Sequence, residues 1–123
     1  VTEGGGDEVR VVIADDDEDI RAAVRGLLGA DPEIEIVGEA GDGTAALGLV
    51  RELKPDILIL DLAMPIATGA EVLGQVKESA PATKVLLFTA YPDVAEPWID
   101  KVDGRLAKTA ISQLPDRLRE LTA

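Results

Sequence analysis

Ile57-Leu58-Ile59-Leu60-Asp61 is the stretch whose reading decides the fold. Four aliphatic residues in a row suit a strand buried on both faces, as in a parallel sheet covered by helices on either side. Such a strand has little use for a carboxylate at its end unless the carboxylate works there. In open α/β sheets, ligands and chemistry occupy the crevice beyond the carboxyl ends of the strands. A second apolar run, Val11-Val12-Ile13-Ala14, also ends in acids, Asp15 and Asp16.

Working outward from these two strands, strand and helix signals alternate along the chain. Arg10 to Ala14 reads as the first strand. Asp17 to Ala30 reads as a helix, with Ile20, Ala23, Val24, Leu27 and Leu28 on one face and Asp17 as N-cap. Glu18 and Asp19 suit the positive end of that helix's dipole. Glu33 to Ala40 alternates acidic and apolar residues, the pattern of an edge strand. Gly41-Asp42-Gly43 makes a turn and Thr44 can cap a helix running to about Lys54. After the Ile57 to Leu60 strand, a loop through Pro65 and Gly69 leads to a helix from about Ala70 to Ser79. Lys84 to Thr89 is a fourth strand and Gly104 to Ala107 a fifth. A last helix runs from about Gln113 to Thr122, with Ser112 as candidate cap, Pro115 in its first turn, and Ile111, Leu114, Leu118 and Leu121 facing inward.

Five such units imply an α/β fold: a doubly wound, five-stranded parallel sheet. Right-handed crossovers, with the two most apolar strands at the centre, favour strand order 2-1-3-4-5. The chain of 123 residues fits one domain, read as residues 9–123 behind a disordered tail at 1–8 that contains Gly4-Gly5-Gly6.

Composition narrows the function. Apolar residues make up 46% of the chain and aromatics only 2%, so the core must be aliphatic. With 12 basic and 24 acidic residues the formal charge is −12, which repels phosphate backbones and anionic headgroups. The expected partners are therefore proteins or cations, with no direct nucleic-acid or membrane binding. The absence of cysteine excludes disulfides and thiolate zinc sites; the absence of histidine excludes a Ser-His-Asp triad, imidazole ligation and phosphohistidine. No apolar stretch approaches the roughly 20 residues of a membrane span, and the N-terminus lacks the pattern of a signal peptide. A cytoplasmic location is expected.

On the inferred sheet, Asp15, Asp16, Asp61, Thr89 and Lys108 all fall at the carboxyl edge. Three neighbouring carboxylates repel one another, so a proton or a cation must offset them. Hard oxygen ligands with room for water suit Mg²⁺. A hydroxyl (Thr89) and an ammonium (Lys108) aimed at the same spot complete a site for phosphoryl transfer to a carboxylate, with Asp61 attacking. Each residue alone has a plainer reading. Acids before a helix usually cap it, which is the preferred account of Asp17, Glu18 and Asp19. A threonine ending a strand normally just fits the pleat, and a lysine after a strand is normally solvated. Tyr91 and Trp98 read as packing or interface residues. The coincidence of Asp15, Asp16, Asp61 and Lys108 tips the balance.

The chain resembles the CheY-like receiver domain of two-component response regulators. The matching pieces are Val11-Val12-Ile13-Ala14-Asp15-Asp16-Asp17, Asp61-Leu62-Ala63-Met64-Pro65 with Gly69, Leu86-Leu87-Phe88-Thr89-Ala90, and Gly104-Arg105-Leu106-Ala107-Lys108. Each is weak alone, and the ordered set is strong. The resemblance implies that Asp61 is the phosphoacceptor and that Asp15, Asp16, Asp61 and the Ala63 carbonyl hold Mg²⁺. It further implies Thr89 as the switch hydroxyl and Lys108 as the partner of the phosphoryl group. The phosphoryl donor would be a histidine kinase or phosphotransfer protein, and the output a changed surface for a downstream protein target. Such a switch is no enzyme beyond its own phosphorylation and dephosphorylation.

Three positions depart from the pattern. Many receivers carry an aromatic residue where this chain has Arg105, and an arginine is costly to bury in the pocket that a ring would fill. The stretch from Thr89 to Gly104 is shorter than usual by about one helical turn and holds Pro92 and Pro97, so its fourth helix should be short or irregular. Thr68 stands where an aspartate is common. Two other phosphate-linked readings fit less well. A haloacid-dehalogenase phosphatase needs an acid where Ala63 lies, and a flavodoxin-like flavin binder would place its phosphate against Asp15-Asp16-Asp17. The reading is a phosphorylatable receiver without an attached effector domain; the alternative is a degenerate receiver acting as a phosphorylation-independent interaction module.

Overall fold

The computed structural model describes residues 8–61, 69–93 and 96–123. Five parallel strands form one sheet: β1 (Val9–Ala14), β2 (Ile34–Ala40), β3 (Ile57–Leu60), β4 (Lys84–Thr89) and β5 (Gly104–Ala107). Their spatial order is β2-β1-β3-β4-β5, as the sequence implies. All of β3 is buried, and β1 and β4 are buried over most of their lengths. The register shifts between Val11 and Val12 where β1 meets β2, so the edge strand carries an irregularity there.

The pleat divides the core in two. Val12, Ala14, Leu58 and Leu60 point to one face, where they meet Ala46, Leu47 and Val50 of α2 (Gly43–Leu53) and Val72, Leu73 and Val76 of α3 (Gly69–Ser79). Val11, Ile13, Ile57 and Ile59 point to the other, against Val24 and Leu28 of α1 (Glu18–Gly29) and Leu114 and Leu118 of α4 (Leu114–Thr122). Alternate residues of one strand thus feed opposite layers, the behaviour expected of a strand of period two.

Helix ends follow local chemistry, with two corrections to the sequence reading. Asp17 caps α1, its side chain accepting from the Asp19 N–H as expected. Helix α2 is capped by Asp42, which accepts from the Ala45 N–H at 2.8 Å, and Thr44 lies inside the helix. The carboxylate one residue before Gly43 reaches the free amides better than a hydroxyl already within the first turn. The second correction concerns Ser112, which is no cap. A 3-10 segment, Lys108–Gln113, with a kink at Ala110, precedes α4, and Gln113 at the junction makes no side-chain cap bond. Pro115 falls in the first turn of α4, where its missing N–H costs nothing. Ala23, expected inward on α1, is exposed.

Between β4 and β5 the described residues contain only a 3-10 turn, Ile99–Lys101, and no α-helix. Ile99 is buried, and Trp98 is half-buried against the α2–α3 side of the core, so this segment is packed despite its irregularity. Bonds among five residues pin its far end. Asp103 accepts from the Val85 N–H at 2.7 Å and pairs with Lys77 at 2.9 Å, while its own N–H donates to the Val85 carbonyl; Lys101 N–H donates to Trp98.

Candidate functional site

Backbone pairing brings the acids together. Ala14 and Leu60 are register partners in β1 and β3, so the residues that follow them, Asp15 and Asp61, lie side by side. Backbone bonds hold both: the Asp61 N–H donates to the Ala14 carbonyl and the Asp15 N–H to the Ala40 carbonyl. Each of Asp15, Asp16 and Asp61 offers a carboxylate oxygen, and these oxygens lie within 4.8 Å of one another. Asp15 and Asp61 are only 1% and 6% exposed, whereas Asp16 faces solvent. The exposed member leaves the cluster open to water on one side.

Lys108 follows the last residue of β5, two strands away from β3, and its long stem carries the ammonium back to the acids. Nζ lies 2.8 Å from Asp15 Oδ2 and 3.4 Å from Asp61 Oδ1, with the side chain 20% exposed. The contact with Asp15 is a short ion pair to a fully buried Oδ2 that has no other partner among the described residues. Burial alone would lower the pKa of Lys108; attraction to Asp15 and Asp61 outweighs it and raises the value. The lysine is therefore a charged, anchored member of the site, and the reading of a solvated surface lysine does not hold.

Thr89 ends β4 as the register partner of Ala107, one residue before Lys108. It is buried, and its Oγ1 accepts from the Tyr91 N–H at 3.2 Å. The hydroxyl is thus already engaged with the loop that follows β4. Tyr91 itself is 72% exposed. Ala63, whose carbonyl the sequence reading assigned to a metal, lies outside the described residues, as do Met64, Pro65, Thr68 and residues 1–7 of the segment 1–8 expected as a tail.

The donor set suits a divalent cation. It consists of hard carboxylate oxygens on two buried acids, with the exposed Asp16 giving a solvent side for retained waters. A bound cation would relieve the repulsion that Lys108 offsets only in part.

The model of the response regulator receiver domain matches residues 11–117. The chain belongs to the response regulator receiver domain family. This receiver is 33% identical to the response regulator protein VraR of Staphylococcus aureus over 116 residues, which cover 91% of the chain and 56% of VraR. It is 35% identical over 85 residues to YhcZ, an uncharacterized transcriptional regulatory protein of Bacillus subtilis, covering 69% of the chain and 40% of YhcZ. The receiver spans about half the length of these curated relatives. Among solved structures, the signal receiver domain of the putative response regulator NarL from Mycobacterium tuberculosis superposes with a TM-score of 0.76 at 35% identity, over 92% of this chain and 98% of that one. The response regulator domain of Thermotoga maritima CheB gives a TM-score of 0.84 over 94% and 98% at 21% identity, a likeness of fold. Receiver domains are signalling switches of two-component systems.

Within this receiver, Arg105 stays near the surface. Its side chain is 36% exposed; Nη1 donates to the Pro92 carbonyl at 3.3 Å and Nη2 lies 3.6 Å from Asp100 Oδ1. It ties the loop after Thr89 to the 3-10 turn. Sequence reasoning missed a different arginine, Arg21, which donates from Nη1 to the Asp15 carbonyl at 2.5 Å. The only signal in the sequence was an arginine one turn into the helix that follows the acids, which reads equally well as a partner for Glu18.

Proposed function

We propose that this receiver accepts a phosphoryl group on Asp61 from a histidine kinase or phosphotransfer protein, and that the phosphorylated state presents an altered surface to a downstream protein. The observation that carries the reading is a carboxylate at the end of a buried strand, with Lys108 3.4 Å away and two further carboxylates in the same cluster. An ordinary surface acid has no such surroundings. The set of Asp15, Asp16, Asp61, Thr89 and Lys108 favours active chemistry over a degenerate, phosphorylation-independent module.

In the proposed reaction an Asp61 oxygen attacks the phosphorus of the donor, an acyl phosphate forms, and the bond from phosphorus to the donor atom breaks with its electron pair. Asp15, Asp16 and Asp61 would hold Mg²⁺, which when bound supplies positive charge to the phosphoryl oxygens. Lys108, beside Asp15 and Asp61, supplies a second positive charge and stays protonated, because its pKa is raised. Thr89, whose Oγ1 accepts from the Tyr91 N–H, donates its hydroxyl hydrogen to a phosphoryl oxygen. Through both bonds Thr89 couples the site to the loop after β4. The −12 charge and the absence of any histidine in these residues agree with a protein donor and a protein target.

Incubation with acetyl phosphate and Mg²⁺, followed by intact-protein mass spectrometry, tests the assignment. One added phosphoryl group is expected in the unaltered chain and none in Asp61→Asn. Full labelling of Asp61→Asn would move the acceptor elsewhere.

A further inference from the structure

We infer that Arg21 is a positioning residue that holds the cation-binding turn in its receptive shape; this deepens the proposed role of Asp15 and Asp16 and rests on it. Three elements converge on its guanidinium. From α1, Nη1 donates back to the Asp15 carbonyl at 2.5 Å, Nη2 pairs with Glu18, and Nε lies 3.5 Å from Glu39 Oε1 at the end of β2. The side chain is only 17% exposed, and a Cβ on Gly41 would stand 3.4 Å from Nη1, so the chain after β2 packs directly against the guanidinium. Glu39 is itself held by Arg25, whose Nη1 contacts both carboxylate oxygens at 2.8 Å.

Asp15 is consequently fixed through each of its polar atoms. Its N–H donates to Ala40, its carbonyl accepts from Arg21, its Oδ1 accepts from the Asp17 N–H at 2.9 Å, and its Oδ2 faces Lys108. Asp16 is the next residue, so the direction in which it offers its carboxylate follows from how the Asp15 carbonyl is held. A planar guanidinium with donors on several edges suits a junction of this kind, where one side chain must grip a carbonyl and two carboxylates at once.

Electrostatics and positioning predict opposite signs. Removing a positive charge near three carboxylates should by itself strengthen cation binding. Releasing the turn should weaken it, as the loss of groups that orient metal ligands does. Titration of the metal-free protein with Mg²⁺, followed by calorimetry and by NMR shifts of the Asp16 and Asp17 amides, separates the two. Arg21→Ala is expected to weaken Mg²⁺ about tenfold or more, Arg21→Lys to recover part of the loss, and Arg25→Ala to stay within about twofold. In the absence of Mg²⁺, amide exchange at Asp17 should speed up in Arg21→Ala, since its acceptor is no longer held still.

Equal or tighter Mg²⁺ binding by folded Arg21→Ala would overturn the inference while leaving the cation site intact. Failure of the unaltered chain to bind Mg²⁺ would instead overturn the cation site, and this inference with it. Should Arg21→Ala not fold, Arg21→Gln takes its place, and tight binding by that variant counts against the inference in the same way.

Discussion

Lys108 and Asp15 form a close charge contact, 2.8 Å between Nζ and Oδ2, although they follow β5 and β1, which are three places apart in the sheet. The pair spans the sheet edge over β3 and β4, above which Asp61 sits. An ammonium placed there offsets part of the repulsion among three acids before any cation arrives. Charge balance at this edge therefore has consequences for stability as well as for chemistry.

Lys108→Met removes the counter-charge and leaves Asp15 Oδ2 buried with neither a hydrogen bond nor an ion pair. The expected cost is about 1–3 kcal/mol of folding stability, the range for stranding a buried polar group. Urea unfolding in the presence of a chelator measures it. Unchanged stability would mean that water reaches Asp15 freely.

Mg²⁺ should stabilise the unaltered chain because it binds only the folded cluster of Asp15, Asp16 and Asp61. The gain at a hundredfold excess over Kd is about 2.7 kcal/mol, read as a rise in melting temperature. Asp16→Asn should lose most of that rise, since it removes a cation ligand but no buried contact. An equal rise in both proteins would place the bound ion elsewhere.

Asp103 gives a pH signature away from the site. Burial alone would raise its pKa, but the bonds from Lys77 and from the Val85 N–H outweigh burial and lower it. A folded pKa below the unfolded one means stability that is present above the unfolded value, about 3.9, and is lost as pH falls through the folded value. Asp103→Asn should therefore flatten the loss of stability below about pH 4, as followed by urea titrations across the acid range. The same slope in both proteins would rule out this carboxylate as a source of acid sensitivity.

Arg105 ties the loop after Thr89 to the 3-10 turn. Its bonds to Pro92 and Asp100 keep it at the surface, so beryllofluoride binding should shift the loop after Thr89 and the segment around Trp98 and leave Arg105 exposed. Amide exchange or NMR shift maps with and without beryllofluoride would show this. Changes centred on β5 with Arg105 driven into the core would mean that the arginine moves as an aromatic residue does elsewhere in the family. Arg105→Ala itself should cost under about 1 kcal/mol, as for other exposed pairs.

Much of this was legible in the chain because the relevant forces are local. A run such as Ile57 to Leu60 suits an interior strand, and Asp17 before an amphipathic stretch suits a helix start, so the strands, their order and the acids at their ends could be read from periodicity and handedness. Cap choice was less legible. Asp42 and Thr44 are both competent caps, and which one serves depends on where the backbone leaves β2.

The sequence by itself determined that Asp15, Asp16, Asp61, Thr89 and Lys108 share one edge of a parallel sheet, since strand direction alone brings strand ends together. Only the tertiary structure decided that Lys108 is anchored between Asp15 and Asp61, that Arg105 bridges Pro92 and Asp100, and that Arg21 grips the Asp15 carbonyl from α1. Long cationic side chains can reach many acids in a chain with twice as many acids as bases, and packing across several elements selects the partners each one holds.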